Sequence, residues 1–154
     1  MMTQEDKDLL LRDLCARIPY GVKGECKFDA SYSFDMIFRY HFFDAELVGI
    51  KNDGLHVRPL IEHFVGREFA NKEVADGIDI NNFKPYLRPM SSMTEKEAEE
   101  YRNIDNRSYS CPMVYAHFPA SERIDWLNAH HFDYRGLIEK GLALPAPEGM
   151  YNEK

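Results

Sequence analysis

The residues best suited to chemistry in this chain crowd into His130-His131-Phe132-Asp133-Tyr134-Arg135. Imidazole next to carboxylate is what zinc binding or proton transfer asks for. Adjacent residues on a helix diverge by about 100°, so the two histidines share one metal only if a distant third ligand, His117 or Cys111, is brought to them. The HExxH pattern solves that problem with a longer separation, and it is absent here. The favoured reading is structural. His130 and His131 are held by local contacts, Arg135 pairs with a carboxylate, Asp133 joins the same network, and Tyr134 covers an apolar patch. No catalytic residue, metal ligand set or cofactor is assigned.

Lys84-Pro85-Tyr86-Leu87-Arg88-Pro89 is the second candidate. Its two prolines forbid a helix interior and favour extended backbone, so Tyr86 and Arg88 would serve as a polyproline-type recognition ligand if exposed. A stiff connector draped on the core is the preferred alternative. The candidate binding residues are therefore Tyr86, Arg88, His130, His131, Asp133, Tyr134 and Arg135. Other reaction signatures are missing: there is no GxSxG elbow, GxxxxGK[ST] phosphate loop or GxGxxG turn. Arg12, Arg17, Lys23 and Lys27 could form a basic strip near Tyr20. Asp8, Asp13 and Glu25 are interleaved with it, which reads as a mixed-charge surface.

The elements that must position these residues follow from composition and periodicity. A chain of 154 residues, 44% hydrophobic and 29% charged, fits one domain. Folding at this length buries about 70% of the extended chain's surface. A net charge of −7 argues against bulk nucleic-acid binding, because phosphate contacts need Lys and Arg to displace counterions. Cys15, Cys26 and Cys111 are an odd, scattered set without CxxC spacing, so neither a disulfide framework nor a zinc knuckle is expected. Without the basic-then-apolar order of a signal peptide or a membrane-length apolar run, the expectation is a cytoplasmic protein.

Thr3, Glu5 and Asp6 open an expected helix over residues 4–17, with Leu10, Leu11, Leu14, Cys15 and Ile18 as its apolar stripe and Cys15 as a small core residue. Val22, Cys26 and Phe28 alternate with charged residues as a one-sided strand, and a second strand is expected at Phe34–Phe43. Asn52-Asp53-Gly54 marks a hairpin between Glu46–Lys51 and Leu55–Leu60, with Pro59 at a strand end. His63–Gly77 is undecided between helix and loop, Ile78–Ile80 reads as a short strand, and residues 81–84 read as one turn. Thr94 and Glu97 have capping-box spacing for another helix. A short strand is expected at Met113–Phe118, and Ser121 is placed to cap a helix over Glu122–His130 that buries Ile124, Leu127 and His131. Residues 148–154 read as a loose tail.

Three long phrases carry a resemblance: residues 13–22, residues 84–95 (KPYLRPMSSMTE) and residues 126–144 (WLNAHHFDYRGLIEKGLAL). Together they resemble a family of short uncharacterised proteins from gut Bacteroides genomes and their phages and prophages. The resemblance brings no activity, cofactor or ligand. The resulting expectation is an α+β single domain, with a small antiparallel, SH3-like curled sheet and N-terminal and C-terminal helices packed on it. Functionally, the expectation is a non-catalytic accessory protein that binds a host or phage protein. The alternative is a small metal protein or hydrolase built on His130, His131 and Asp133.

Overall fold

Thr3 starts the first helix as its spacing to Asp6 implies. The Thr3 hydroxyl accepts from the Asp6 N–H at 3.1 Å and the Asp6 carboxylate accepts from the Thr3 N–H at 3.2 Å, closing a capping box. The computed structural model describes residues 2–27, 42–60, 75–109 and 118–152. Helix α1 runs Gln4–Arg17 and buries Leu10, Asp13, Leu14 and Arg17. The expected stripe is thus corrected: Leu11 is 38% exposed and Cys15 is also exposed. The sheet receives a narrower face than the apolar spacing suggested, and an ion pair occupies half of it.

The sheet comprises β1 (Lys23–Lys27), β2 (Phe42–Lys51), β3 (Gly54–Pro59), β4 (Ala75–Ile78), β5 (Phe83–Leu87) and β6 (Leu144–Pro145). Its order is β4-β3-β2-β1-β5-β6, antiparallel except for β5 with β6. The two ends of that order do not meet, so the expected SH3-like curl gives way to an open sheet. The hairpin forms as expected, with Asn52-Asp53 as its loop and Lys51 opposite Gly54. Gly54 has φ +130°, and a Cβ there would lie 2.7 Å from the Ile78 carbonyl of the neighbouring strand. Pro59 ends its strand. The expected strand at Phe34–Phe43 lies outside the described residues except for Phe42 and Phe43, which open β2. Most of the undecided His63–Gly77 segment also lies outside them. Asp79 caps a 3-10 turn at Ile80–Asn82, so the short strand ends at Ile78 instead of beginning there.

Lys84–Leu87 corrects the connector reading, since these residues lie within β5, between β1 and β6. Period-two burial explains why: Phe83 and Leu87 join Val22, Cys26, Ala45, Leu47, Leu55 and Val57 in one core with Leu10 and Leu14 of α1. At about 25 cal/mol per Å², each large side chain buried there contributes roughly 1.5–3 kcal/mol before conformational entropy is counted.

Two later helices follow: α2 (Glu95–Tyr109) and α3 (Phe118–Ala129). The Thr94–Glu97 capping box is present, with the Glu97 N–H donating to Thr94 Oγ1 at 3.2 Å and the Thr94 N–H donating to Glu97 Oε2 at 2.9 Å. Helix α2 continues to Tyr109, beyond its clear apolar pattern. Helix α3 starts ahead of Ser121, and Ile124 is 44% exposed while Leu127 and His131 are buried. The expected strand at Met113–Phe118 lies, apart from Phe118, outside the described residues. Helices α2 and α3 pack on each other, and α3 also touches α1. Among the described residues no helix is long and apolar enough to cross a membrane.

Candidate functional site

Asp13 and Arg17 are one helical turn apart on α1, so their side chains share a face. Arg17 Nε donates to Asp13 Oδ2 at 2.8 Å and Nη2 donates to Oδ1 at 3.1 Å, with both side chains 0% exposed. Nη2 also donates to the Phe132 carbonyl at 2.7 Å. A buried ion pair pays a large desolvation cost, so it persists where extra hydrogen bonds satisfy the charges. Here the extra bond ties α1 to the turn after α3. Arg135 Nε comes within 3.2 Å of the same Asp13 Oδ1, at ion-pair distance but without the alignment of a hydrogen bond. The Tyr134 ring lies beside both cations, 5.5 Å from the Arg17 guanidinium carbon and 5.0 Å from that of Arg135.

The His-His-Phe-Asp run is pulled apart by its local backbone. His130 Nδ1 donates to the Trp126 carbonyl at 2.8 Å, and its ring stacks on Trp126 at 4.0 Å. His131 has φ +59°, a left-handed conformation uncommon outside glycine, and this sends it away from His130. It stacks on Tyr151 at 3.7 Å. Burial first, and then the Arg17 charge, pushes its imidazole down to about 3, so it is neutral at ordinary pH. Phe132 is buried beneath the Arg88 guanidinium, 4.2 Å from its ring centre. Asp133 accepts from the Leu137 N–H at 2.8 Å and the Ile138 N–H at 2.9 Å, capping the next turn. Arg135 therefore finds its carboxylate on α1 rather than at neighbouring Asp133.

Tyr86 and Arg88 are also held internally. The Tyr86 hydroxyl donates to Asp44 Oδ1 at 2.8 Å, and burial followed by that carboxylate raises its pKa. Arg88 makes a two-pronged pair with Glu97, 2.8 Å on each arm. Arg88 and the capping Thr94 bonds together hold the Glu97 carboxyl down to about 2, well below its usual range. No family model, curated protein or solved structure matches this chain. The chemistry must therefore be read from the geometry alone.

Tyr151 was not legible as a fixed residue, because it lies in the stretch read as a loose tail. Its hydroxyl accepts from the Lys23 N–H at 2.9 Å and donates to the Tyr86 carbonyl at 2.9 Å, so residues up to 152 follow a held path. Burial raises its phenol pKa. Among the described residues no group of three His, Cys, Asp or Glu side chains is placed to hold a metal ion.

A cleft of about 470 Å³ opens between α2 and α3. Its walls are Glu100, Asn103, Ile104, Glu122, Asp125 and Trp126. Ile104 is buried and the half-buried Trp126 ring leans on Tyr101 at 5.5 Å, which gives an apolar floor under a carboxylate rim. The acidic face of α2 was visible in the sequence. Its pairing with Glu122 and Asp125 was not, because that requires knowing that α2 packs on α3.

Proposed function

We propose that this protein is a non-catalytic interaction module, and that its α2–α3 cleft receives a basic segment with an apolar anchor from a partner protein. The observation that carries this reading is the cleft's lining: three carboxylates, Glu100, Glu122 and Asp125, around Ile104 and Trp126, with no Lys or Arg among the described residues that line it. Charge complementarity steers and orients such a partner, while an aromatic floor supplies the pocket for an anchoring side chain. The volume lies within the range of ordinary ligand pockets, about 300–1,000 Å³. The net charge of −7 favours approach of a basic partner in the same sense. The resemblance to short Bacteroides and phage proteins supports a host or phage protein as the source of that segment.

The Pro-Tyr-Leu-Arg-Pro stretch has no place in this reading, because Pro85–Leu87 lie in β5 and Arg88 is paired with Glu97. The metal or hydrolase alternative has little support: His130 bonds the Trp126 carbonyl, the His131 ring stacks on Tyr151 and Asp133 accepts from the Leu137 N–H, three separate places.

Trp126 is the single tryptophan of the chain, so its emission reports on the cleft. The test is a fluorescence titration with Lys/Arg-rich amphipathic peptides carrying a Leu or Phe anchor, and with Asp/Glu-rich counterparts. The expected result is a saturable change with the basic set only, weakened by salt and lost in the double variant Glu122→Lys, Asp125→Lys. Equal responses to both sets, or binding that survives the double charge reversal, would end this reading.

A further inference from the structure

Among the described residues, three buried side-chain atoms have no hydrogen-bond partner: Arg17 Nη1, His131 Nδ1 and Arg135 Nε. Arg17 and Arg135 both face Asp13 and Tyr134, whereas His131 stacks on Tyr151, and none of the three residues lines the α2–α3 cleft. Buried polar groups are nearly always paired, so this concentration calls for a cause.

The charges supply one. Two guanidiniums face one carboxylate, and Asp13 is already committed to Arg17 through both oxygens. Arg135 is left with an off-angle contact at 3.2 Å, and among the described residues the cluster carries one positive charge that no carboxylate matches. In a low-dielectric surrounding that excess is unfavourable until an anion meets it. The neutral His131 adds no charge of its own. Solvent reaches the cluster at Arg135, which is 22% exposed, while Arg17 is its closed end at 0%.

We propose that Arg17 and Arg135 form a binding site for a small carboxylate anion, with Tyr134 as its flanking wall. One negative charge balances the excess. A planar carboxylate also matches the donor fork of a guanidinium, which a spherical halide does not. The assignment is independent of the cleft and stands or falls separately from it.

The test is a titration of the full chain with sodium acetate and sodium formate at constant ionic strength, with sodium chloride and inorganic phosphate as parallel arms. Arginine Nε–H signals are followed by 15N NMR, together with thermal stability. Saturable shifts at the Arg17 and Arg135 signals are expected with acetate and formate, with a matching rise in Tm. Arg135→Gln should weaken acetate binding by about tenfold or more, as expected for one lost charge-assisted hydrogen bond. Arg135→Lys keeps the charge without the fork and should recover only part of it. Responses indistinguishable from chloride would overturn the site. Tighter binding of phosphate than of acetate would overturn the carboxylate assignment. The NMR titration of the unaltered chain decides the matter even if Arg135→Gln does not fold.

Discussion

Replacing Glu97 by Gln should lower stability at neutral pH and leave it almost unchanged in strong acid. Glu97 joins the end of β5 to the start of α2, accepting from both arms of Arg88 at 2.8 Å and from the Thr94 N–H at 2.9 Å. Its carboxyl is held from an ordinary 4.5 down to about 2. A depressed folded-state pKa means that the unfolded chain takes up the proton first. The stabilisation is therefore fully present above about pH 5.5 and is lost as pH falls through 4.5 towards 2. Taken at face value the displacement corresponds to about 3 kcal/mol. Both side chains are about a fifth exposed, 21% and 18%, so water screens the pair and about 1–2 kcal/mol is the expected loss. Gln keeps an acceptor for Thr94, which confines the change largely to the charge. The assay is urea unfolding of both proteins from pH 7 down to pH 2.5. Titration of every other group is shared, so the difference between the two proteins isolates Glu97. A gap that narrows steadily below pH 5 is expected. A gap that is constant with pH, or absent at pH 7, would refute the ion-pair reasoning.

Three further outcomes follow from the same structure. The His131 ring signal in NMR should stay flat between pH 8 and 5, because folding holds its imidazole from 6.5 down to about 3. Stability should accordingly fall across that window, as the unfolded chain gains a proton that the folded one refuses; a midpoint near 6.5 would contradict the buried stack on Tyr151. In a Cys111→Ser background, a thiol reagent at pH 8 should label exposed Cys15 and spare Cys26, whose thiol burial pushes up to about 12, until the protein is unfolded. Rapid native labelling at both sites would show that the core face of β1 is open. Gly24→Ala should cost about 1–3 kcal/mol, seen as a lowered Tm, because the new methyl would meet the Phe83 ring and lie 2.6 Å from the Lys84 carbonyl; an unchanged Tm would mean that β5 shifts freely.

Local signals were legible at three places where one short-range interaction decides the structure, though not at Ser121, which lies inside α3 and does not cap it. The capping residues Thr3 and Thr94 and the Asp53-Gly54 hairpin signal all work within a few residues, and each forms as its chemistry predicts. Strand β5 was hidden because extended, proline-containing backbone also suits a connector, and only its tertiary pairing with β1 and β6 makes it a strand. Asp13 and Arg17 were passed over because charged residues on an apolar stripe read as surface. Their true partners, Phe132 and Arg135, are remote in sequence. Within residues 126–144 the individual partners depend on the left-handed turn at His131, for which a histidine gives no advance notice.

The bond from Arg17 to the Phe132 carbonyl spans 115 residues. During synthesis, α1 therefore leaves the ribosome with a charge pair whose burial depends on a segment still to be translated. The same holds for β5, whose outer neighbour β6 and whose clamp Tyr151 come still later. Arg17 waits through most of translation, and the outer edge of β5 joins it from Leu87 until Leu144 is made. The core-side contacts of α1, β1 and β5 are therefore completed only once residues 132 to 151 have been made.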